Sequence, residues 1–362
     1  MKHIYKLLFL VVLLPLSVVA NDSKFKGKHT KEKKIHKEYT VNADAGLKIN
    51  NSYGSVHIVT WSQNKTVIDV IIKTNGNNED KVSEKLNEIT IDFNSTSAMV
   101  SAITQFGSKK GTWSSWWGKG NDNVSVEVNY IIKLPATNSV NIHNDYGTVS
   151  IDMLKGNASI HCDYGQLIIG ELMAENNTLN FDYTQNATIQ YMKSGKINAD
   201  YSEFTLQKAE RLHLNADYST SEIGDVHDLN YNNNHGKISL DKVGKIVGRG
   251  DYIQHNIGSV SKSLNINTDY GGVNIDSLLA SCEAVLINAN YARVTLGLSQ
   301  GLAFNFELDL NYSSLKGKDL FQYTNTSEDN SSKLYLGFYG KKDSGNILTI
   351  KANYGGVTFN KK

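Results

Sequence analysis

The sequence predicts an all-β protein, a right-handed parallel β-helix of short coils, and three observations carry that expectation. First, the phrase "NTDYGGVNI" at 267–275 returns as "HNDYGTVSI", "HCDYGQLII", "NADYSEFTL" and "KANYGGVTF". Second, alignment of these phrases puts Tyr53, Tyr146, Tyr164, Tyr183, Tyr201, Tyr218, Tyr252, Tyr270, Tyr291, Tyr312 and Tyr354 in one column, which His235 fills in "NNHGKISL". From Tyr146 to Tyr270 the steps are 18, 19, 18, 17, 17, 17 and 18 residues, and a fixed period of this size marks a stacked repeat. Third, the apolar phase shifts at the column. Four residues before the tyrosine stand Ile49, Ile142, Ile160, Leu179, Ile197, Leu214, Ile266, Ile287, Leu308 and Ile350. Three after it stand Val56, Val149, Leu167, Phe204, Ile238, Val273, Val294 and Val357. Even offsets are apolar before the column and odd offsets after it, so two strands of period two meet at a corner. The expected corner is Tyr-Gly, with glycine taking the dihedrals other residues avoid and the tyrosine on the lining face. Stacked about 4.8 Å apart, a dozen such coils make a rod of about 55 Å.

Taken in order, residues 1–20, "MKHIYKLLFLVVLLPLSVVA", read as a signal peptide. They combine a lysine-bearing start, a short apolar run and a small-residue end. That run is too short for a bilayer core of about 30 Å, and no later stretch is long enough. The mature chain is therefore expected to be exported, without a transmembrane segment, and to reside in the periplasm, on the outer surface or outside the cell. Residues 21–38 carry seven lysines between Lys24 and Lys37 and read as a disordered basic arm, a solvated spacer or a contact to an anionic envelope surface. The whole-chain charge is only +1, which excludes a basic nucleic-acid binder.

Residues 39–135 read as a first coil plus a capping or insertion unit. "NKTVIDVIIKT" alternates as a strand, "NNEDKVSEKLNEI" has helical spacing with acids at its start, and two further strands flank "QFGSKKGTWSSWWGKGNDN". Residues 136–362 hold the remaining coils, interrupted by the polar "TNTSEDNSS" between Tyr312 and Tyr354. Cys162 and Cys282 lie about seven coils, or about 34 Å, apart and are expected to stay free thiols.

The opening "NNSYGSVHIVTW", followed by strand, helix and strand and then by recurring "DYG" corners, resembles the bacterial putative-adhesin domain family over roughly residues 40 to 360. The resemblance implies an exported β-solenoid with a cell-envelope role, and it carries over no catalytic residues.

Four constellations bear on chemistry. Asp145, Asp163, Asp182, Asp200, Asp217, Asp251 and Asp269 precede the column residue. A stacked acidic row suits calcium, but odd offsets before the corner point outward, where repulsion at the coil spacing is only about 0.9 kcal/mol. They therefore read as corner residues. Arg249-Gly250-Asp251 spells a receptor tripeptide, though Asp251 is the repeat's usual acid. Arg211, Arg249 and Arg293 are the only arginines and sit at different offsets. The histidines are scattered, with His161, His213 and His235 explained by strand surface. A glycan-active β-helix enzyme is thus the lesser alternative, and no cofactor or metal is expected. Trp113, Trp116 and Trp117 share one loop and are candidate binding residues for envelope glycan, membrane surface or another envelope protein, or else a lid on the rod. The function expected is a non-enzymatic, adhesin-like binding or scaffold protein, with a sensor or assembly factor as a further alternative.

Overall fold

The computed structural model describes residues 25–107 and 124–362, so the proposed signal peptide and Trp113, Trp116 and Trp117 lie outside the described residues. The described chain is all-β, a long and mostly parallel ladder with one α-helix. At its N-terminal end, β1 (His29–Thr40) pairs antiparallel with β4 (Lys65–Gly76) along its whole length. Over residues 29–38 this corrects the disordered arm expected for 21–38. Ile35 and Tyr39 pack on the core, and ion pairs such as Lys65–Glu38 at 3.0 Å bind the polar face. A lysine-rich strand is poor at core building but well suited to an outer edge, where charge discourages further pairing.

Strands β2 (Gly46–Ser52) and β3 (Val56–Trp61) form the first coil. Helix α1 (Glu79–Glu88) is capped by Asn78, whose Oδ1 accepts from the Lys81 amide at 3.1 Å, and has Glu79 and Asp80 in its first turn. It coincides with the helix expected from spacing. Then follow β5 (Ile89–Ser95), β6 (Met99–Phe106) and β7 (Ser125–Pro135). β2 lies between β6 and β8 (Ser139–Asp145), and β3 between β7 and β9 (Thr148–Leu154). The segment between the first two coils therefore stacks outside the first one. A buried polar chain joins them: Thr104 Oγ1 donates to Asn51 Oδ1 at 2.9 Å, and Asn51 Nδ2 donates to Asn144 Oδ1 at 2.9 Å.

The ladder continues through β10 (Ala158–His161), β11 (Gln166–Leu172), β12 (Asn177–Asn180), β13 (Ala187–Asn198), β14 (Glu203–Asn215), β15 (Ser219–Asn232), β16 (Gly236–Asp251), β17 (Ile253–Leu278) and β18 (Ala284–Leu298). Its register matches the sequence columns. Ile142 opposes Ile160, Ile160 opposes Leu179, Leu179 opposes Ile197 and Ile197 opposes Leu214. All are buried, so no coil shields its own lining and each is covered by its neighbours.

The C-terminal coils are out of sequence order. After β19 (Phe304–Asn311) and β20 (Ser314–Lys316), a 3₁₀ turn at Lys318–Leu320 leads to β21 (Gln322–Glu328) and β22 (Ser332–Tyr339), which runs antiparallel to β19. The chain then returns as β23 (Ile347–Asn353) and β24 (Gly356–Lys361). β23 inserts between β18 and β19, and β24 between β18 and β20. The last coil in sequence is thus the penultimate coil in space.

Two expectations about the corner are corrected. The left-handed residue is the column residue itself: Tyr53, Tyr146, Tyr164, Tyr183, Tyr201, Tyr218, His235, Tyr252, Tyr270, Tyr291, Tyr312 and Tyr354 have φ between 48° and 62°. That backbone swings the ring out of the lining. The following glycine serves close approach instead, since a Cβ on Gly147 would lie 1.8 Å from the Gly54 carbonyl oxygen. After Tyr183, Tyr201, Tyr218 and Tyr312 a hydroxyl residue stands in place of glycine. Ser202 Oγ donates to the Asp200 carbonyl at 2.8 Å and accepts from the Thr184 amide at 3.0 Å.

Cys162 and Cys282 are free and buried, as expected, and burial pushes their thiols up to about 12 and about 11.

Candidate binding surface

Because every column residue is left-handed, the rings stand outside in one continuous stack. Successive centroids are 4.5–5.2 Å apart and the planes lie within 10° of parallel, in the order 53, 146, 164, 183, 201, 218, 235, 252, 270, 291, 354, 312. From Tyr146 onward the tyrosines are about half exposed. Their faces are taken up by the stack, so the surface offered to a partner is a row of ring edges and phenol hydroxyls. Each left-handed residue costs about 1–2 kcal/mol, while each stacked pair returns about 0.5–1.5 kcal/mol. The column amides are also satisfied: Tyr146 donates to the Asp163 carbonyl at 3.0 Å and Tyr201 to that of Asp217 at 3.0 Å.

Beside the rings runs the acidic row, and its carboxylates have a backbone use. Asp163 Oδ1 accepts the Asp182 amide, Asp182 Oδ1 that of Asp200, and Asp200 Oδ1 that of Asp217, each at 3.0 Å. Asp217 Oδ1 continues to the Asn234 amide at 2.7 Å. Further along, asparagines take over, with Asn353 Nδ2 donating to Asn290 Oδ1 at 2.6 Å. A carboxylate that accepts an amide on the next coil needs no cation to hold it there. Calcium chelation should therefore leave the melting temperature within about a degree of its starting value, and a drop of several degrees would overturn the corner-residue reading.

The remaining candidates are dispersed. Arg249-Gly250-Asp251 ends the extended strand β16, with Gly250 buried, rather than sitting at a loop tip. Arg211 pairs with Glu175, and Arg293 stands on β18. An open groove of about 680 Å³ runs past Lys208, Arg211, Asp225, His227 and Lys242. Its charges alternate from coil to coil, Lys208 opposing Asp225 and Asp225 opposing Lys242. His213 is exposed, while His235 belongs to the ring stack.

The sequence columns passed over one buried pair. Tyr231 donates its hydroxyl to His255 Nε2 at 2.6 Å, and His255 Nδ1 donates to the Gly272 carbonyl at 3.0 Å. His255 occupies the lining position three past the column. Tyr231 occupies the position four before it, where the next coil has Gly248, and a Cβ there would meet the Tyr231 ring at 1.7 Å. The large-over-small pairing in adjacent coils was a signal available in the sequence. Burial holds the imidazole down to about 4, hence neutral.

No protein-family model matches the chain, and no curated protein matches it. Among solved structures it is similar to a "putative adhesin" from Parabacteroides merdae (10% identity, 90% of this chain and 96% of that one, TM-score 0.33). It is also similar to one from Parabacteroides distasonis (8% identity, 90% and 97%, TM-score 0.28). A "putative cell adhesion protein" from Clostridium sporogenes is a third (12% identity, 92% and 100%, TM-score 0.18). At such identities and TM-scores these likenesses give no residue a role. Among the described residues, no helix is long and apolar enough to cross a membrane.

Proposed function

We propose that this chain is an exported, non-enzymatic, adhesin-like binding or scaffold protein of the bacterial cell envelope. In this reading the ladder is a right-handed β-helix of about 18-residue coils, residues 39–135 close one end, and the stack of ring edges is the binding surface. Right-handedness follows from the strong preference of parallel crossover connections, and export from the signal-like residues 1–20. The observation that carries the function is the stack itself, an unbroken exposed aromatic stripe along twelve coils. Stacking stabilises the corners, yet it leaves the tyrosines from Tyr146 onward about half exposed, and a contiguous exposed aromatic patch marks an interaction surface. Phenol hydroxyls repeated about every 5 Å suit an extended, hydroxyl-rich polymer such as envelope glycan. Strand β6 ends at Phe106, whose ring meets Tyr53, the first ring of the stack, edge-on at 5.9 Å.

The test compares two variants on envelope extract and purified cell-wall glycan. Tyr183→Asn with Tyr201→Asn and Tyr218→Asn keeps residues that tolerate the left-handed region while removing three rings. Trp113→Ala with Trp116→Ala and Trp117→Ala removes the indoles. Both should reduce retention at least tenfold, and the tryptophan variant should leave the melting temperature unchanged. Undiminished binding by both variants sinks the proposal. A large loss of stability in the tryptophan variant would instead make those residues a lid.

A further inference from the structure

The run of carboxylates that accept an amide of the next coil begins at Asp163, and a histidine pair stands where it begins. His143 and His161 are register partners on β8 and β10, their rings stacked at 4.5 Å and 3°. Each turns Nε2 to the aspartate two residues on: His143 to Asp145 Oδ2 at 3.2 Å, and His161 to Asp163 Oδ2 at 3.1 Å. Along the row each Oδ1 from Asp163 to Asp217 accepts an amide of the next coil. Asp145 Oδ1 accepts none, although it is buried from solvent. One oxygen of the carboxylate that faces His143 is thus buried without a donor.

We propose that His143, His161 and Asp145 form a binding site for a divalent transition-metal ion of the zinc type. Their ligand atoms all lie within 4.8 Å of one another; in the stack the two Nε2 lone pairs run parallel, so binding would tilt the partly exposed rings towards one another until each donor lies about 2.0–2.2 Å from a common ion. Two imidazoles and one carboxylate select zinc, copper, nickel or iron over calcium, which wants six to eight oxygens. A bound cation would neutralise the unpaired Asp145 oxygen and join two successive coils across their stacking gap. Each imidazole would coordinate through Nε2 in its neutral form. The site is independent of the ring stack and of the function proposed above, and since the carboxylates from Asp163 to Asp217 are held by amides, the rod does not depend on it to fold.

The test is a calorimetric titration of the full chain with Zn²⁺, repeated with Ca²⁺, alongside Co²⁺ titration followed by visible absorption for inner-sphere nitrogen ligation. The wild type should bind Zn²⁺ with an equivalent that is lost, or weakened at least tenfold, in His143→Gln/His161→Gln. Asp145→Asn should weaken it as well. His36→Gln, which alters an exposed histidine elsewhere, should not. Calcium should not compete. Circular dichroism and melting of the double variant show that the fold persists. An unchanged Zn²⁺ isotherm in the double variant, absence of Zn²⁺ binding by the wild type, or equal affinity for Ca²⁺ each overturns the proposal.

Discussion

Deleting residues 347–362 should release the whole C-terminal end of the ladder rather than trim one coil from it. β23 and β24 lie between β18 and the β19–β20 coil. Their removal takes Leu348, Ile350, Ala352, Val357 and Phe359 out of the core. It also leaves β19 without its parallel partner and separates Tyr312 from the ring stack. Losing a single large buried side chain costs about 2–5 kcal/mol, and the four large ones together exceed what the antiparallel β19–β22 and β21–β22 pairs can retain alone. Limited proteolysis should then cleave within 304–339, a region protected in the full chain, and melting should acquire an early transition. Protection of 304–339 at the full-chain level, with a single unchanged melt, would show that the inserted coil is not what holds the end in place.

Acidification from pH 7 to pH 4 should cost the protein about 3 kcal/mol through His255 alone. In the unfolded chain its imidazole titrates near 6.5, whereas burial against Tyr231 holds it down to about 4 in the fold. Between those values the unfolded state binds a proton that the native state refuses. Stability is therefore full above the unfolded value and falls as pH drops towards the folded one. Denaturant melts at several pH values should show this slope, and His255→Leu should flatten it within the same window. Tyr231→Phe should cost about 1–3 kcal/mol at pH 7, because the imidazole acceptor is then buried without a donor. If His255→Leu and wild type lose stability in parallel between pH 7 and pH 4, the buried pair is not responsible.

The repeat, its lining and the place of its corners were determined by the sequence alone. Contacts between stacked coils recur at a near-constant separation, so the columns through Ile142, Ile160 and Leu179 or through Val149 and Leu167 are visible as a period before any coordinates exist. The tertiary structure decided what that period leaves degenerate. Leu308 and Ile350 offer the same apolar residue type to Ile287, so the lining cannot say which coil stacks next; the antiparallel β19–β22 pairing resolves it by leaving only the gap beside β18 for β23. The alternation also cannot say whether tyrosine or glycine takes the left-handed backbone. That depends on how closely Gly147 must approach the Gly54 carbonyl and on rings that stack only when turned outward. β1 lacks the apolar content to nucleate structure, and the exposed edge of β4 supplies its hydrogen bonds. The His143–Asp145–His161 cluster arises in the same way, from side chains 18 residues apart that the coil spacing alone brings within reach of one ion.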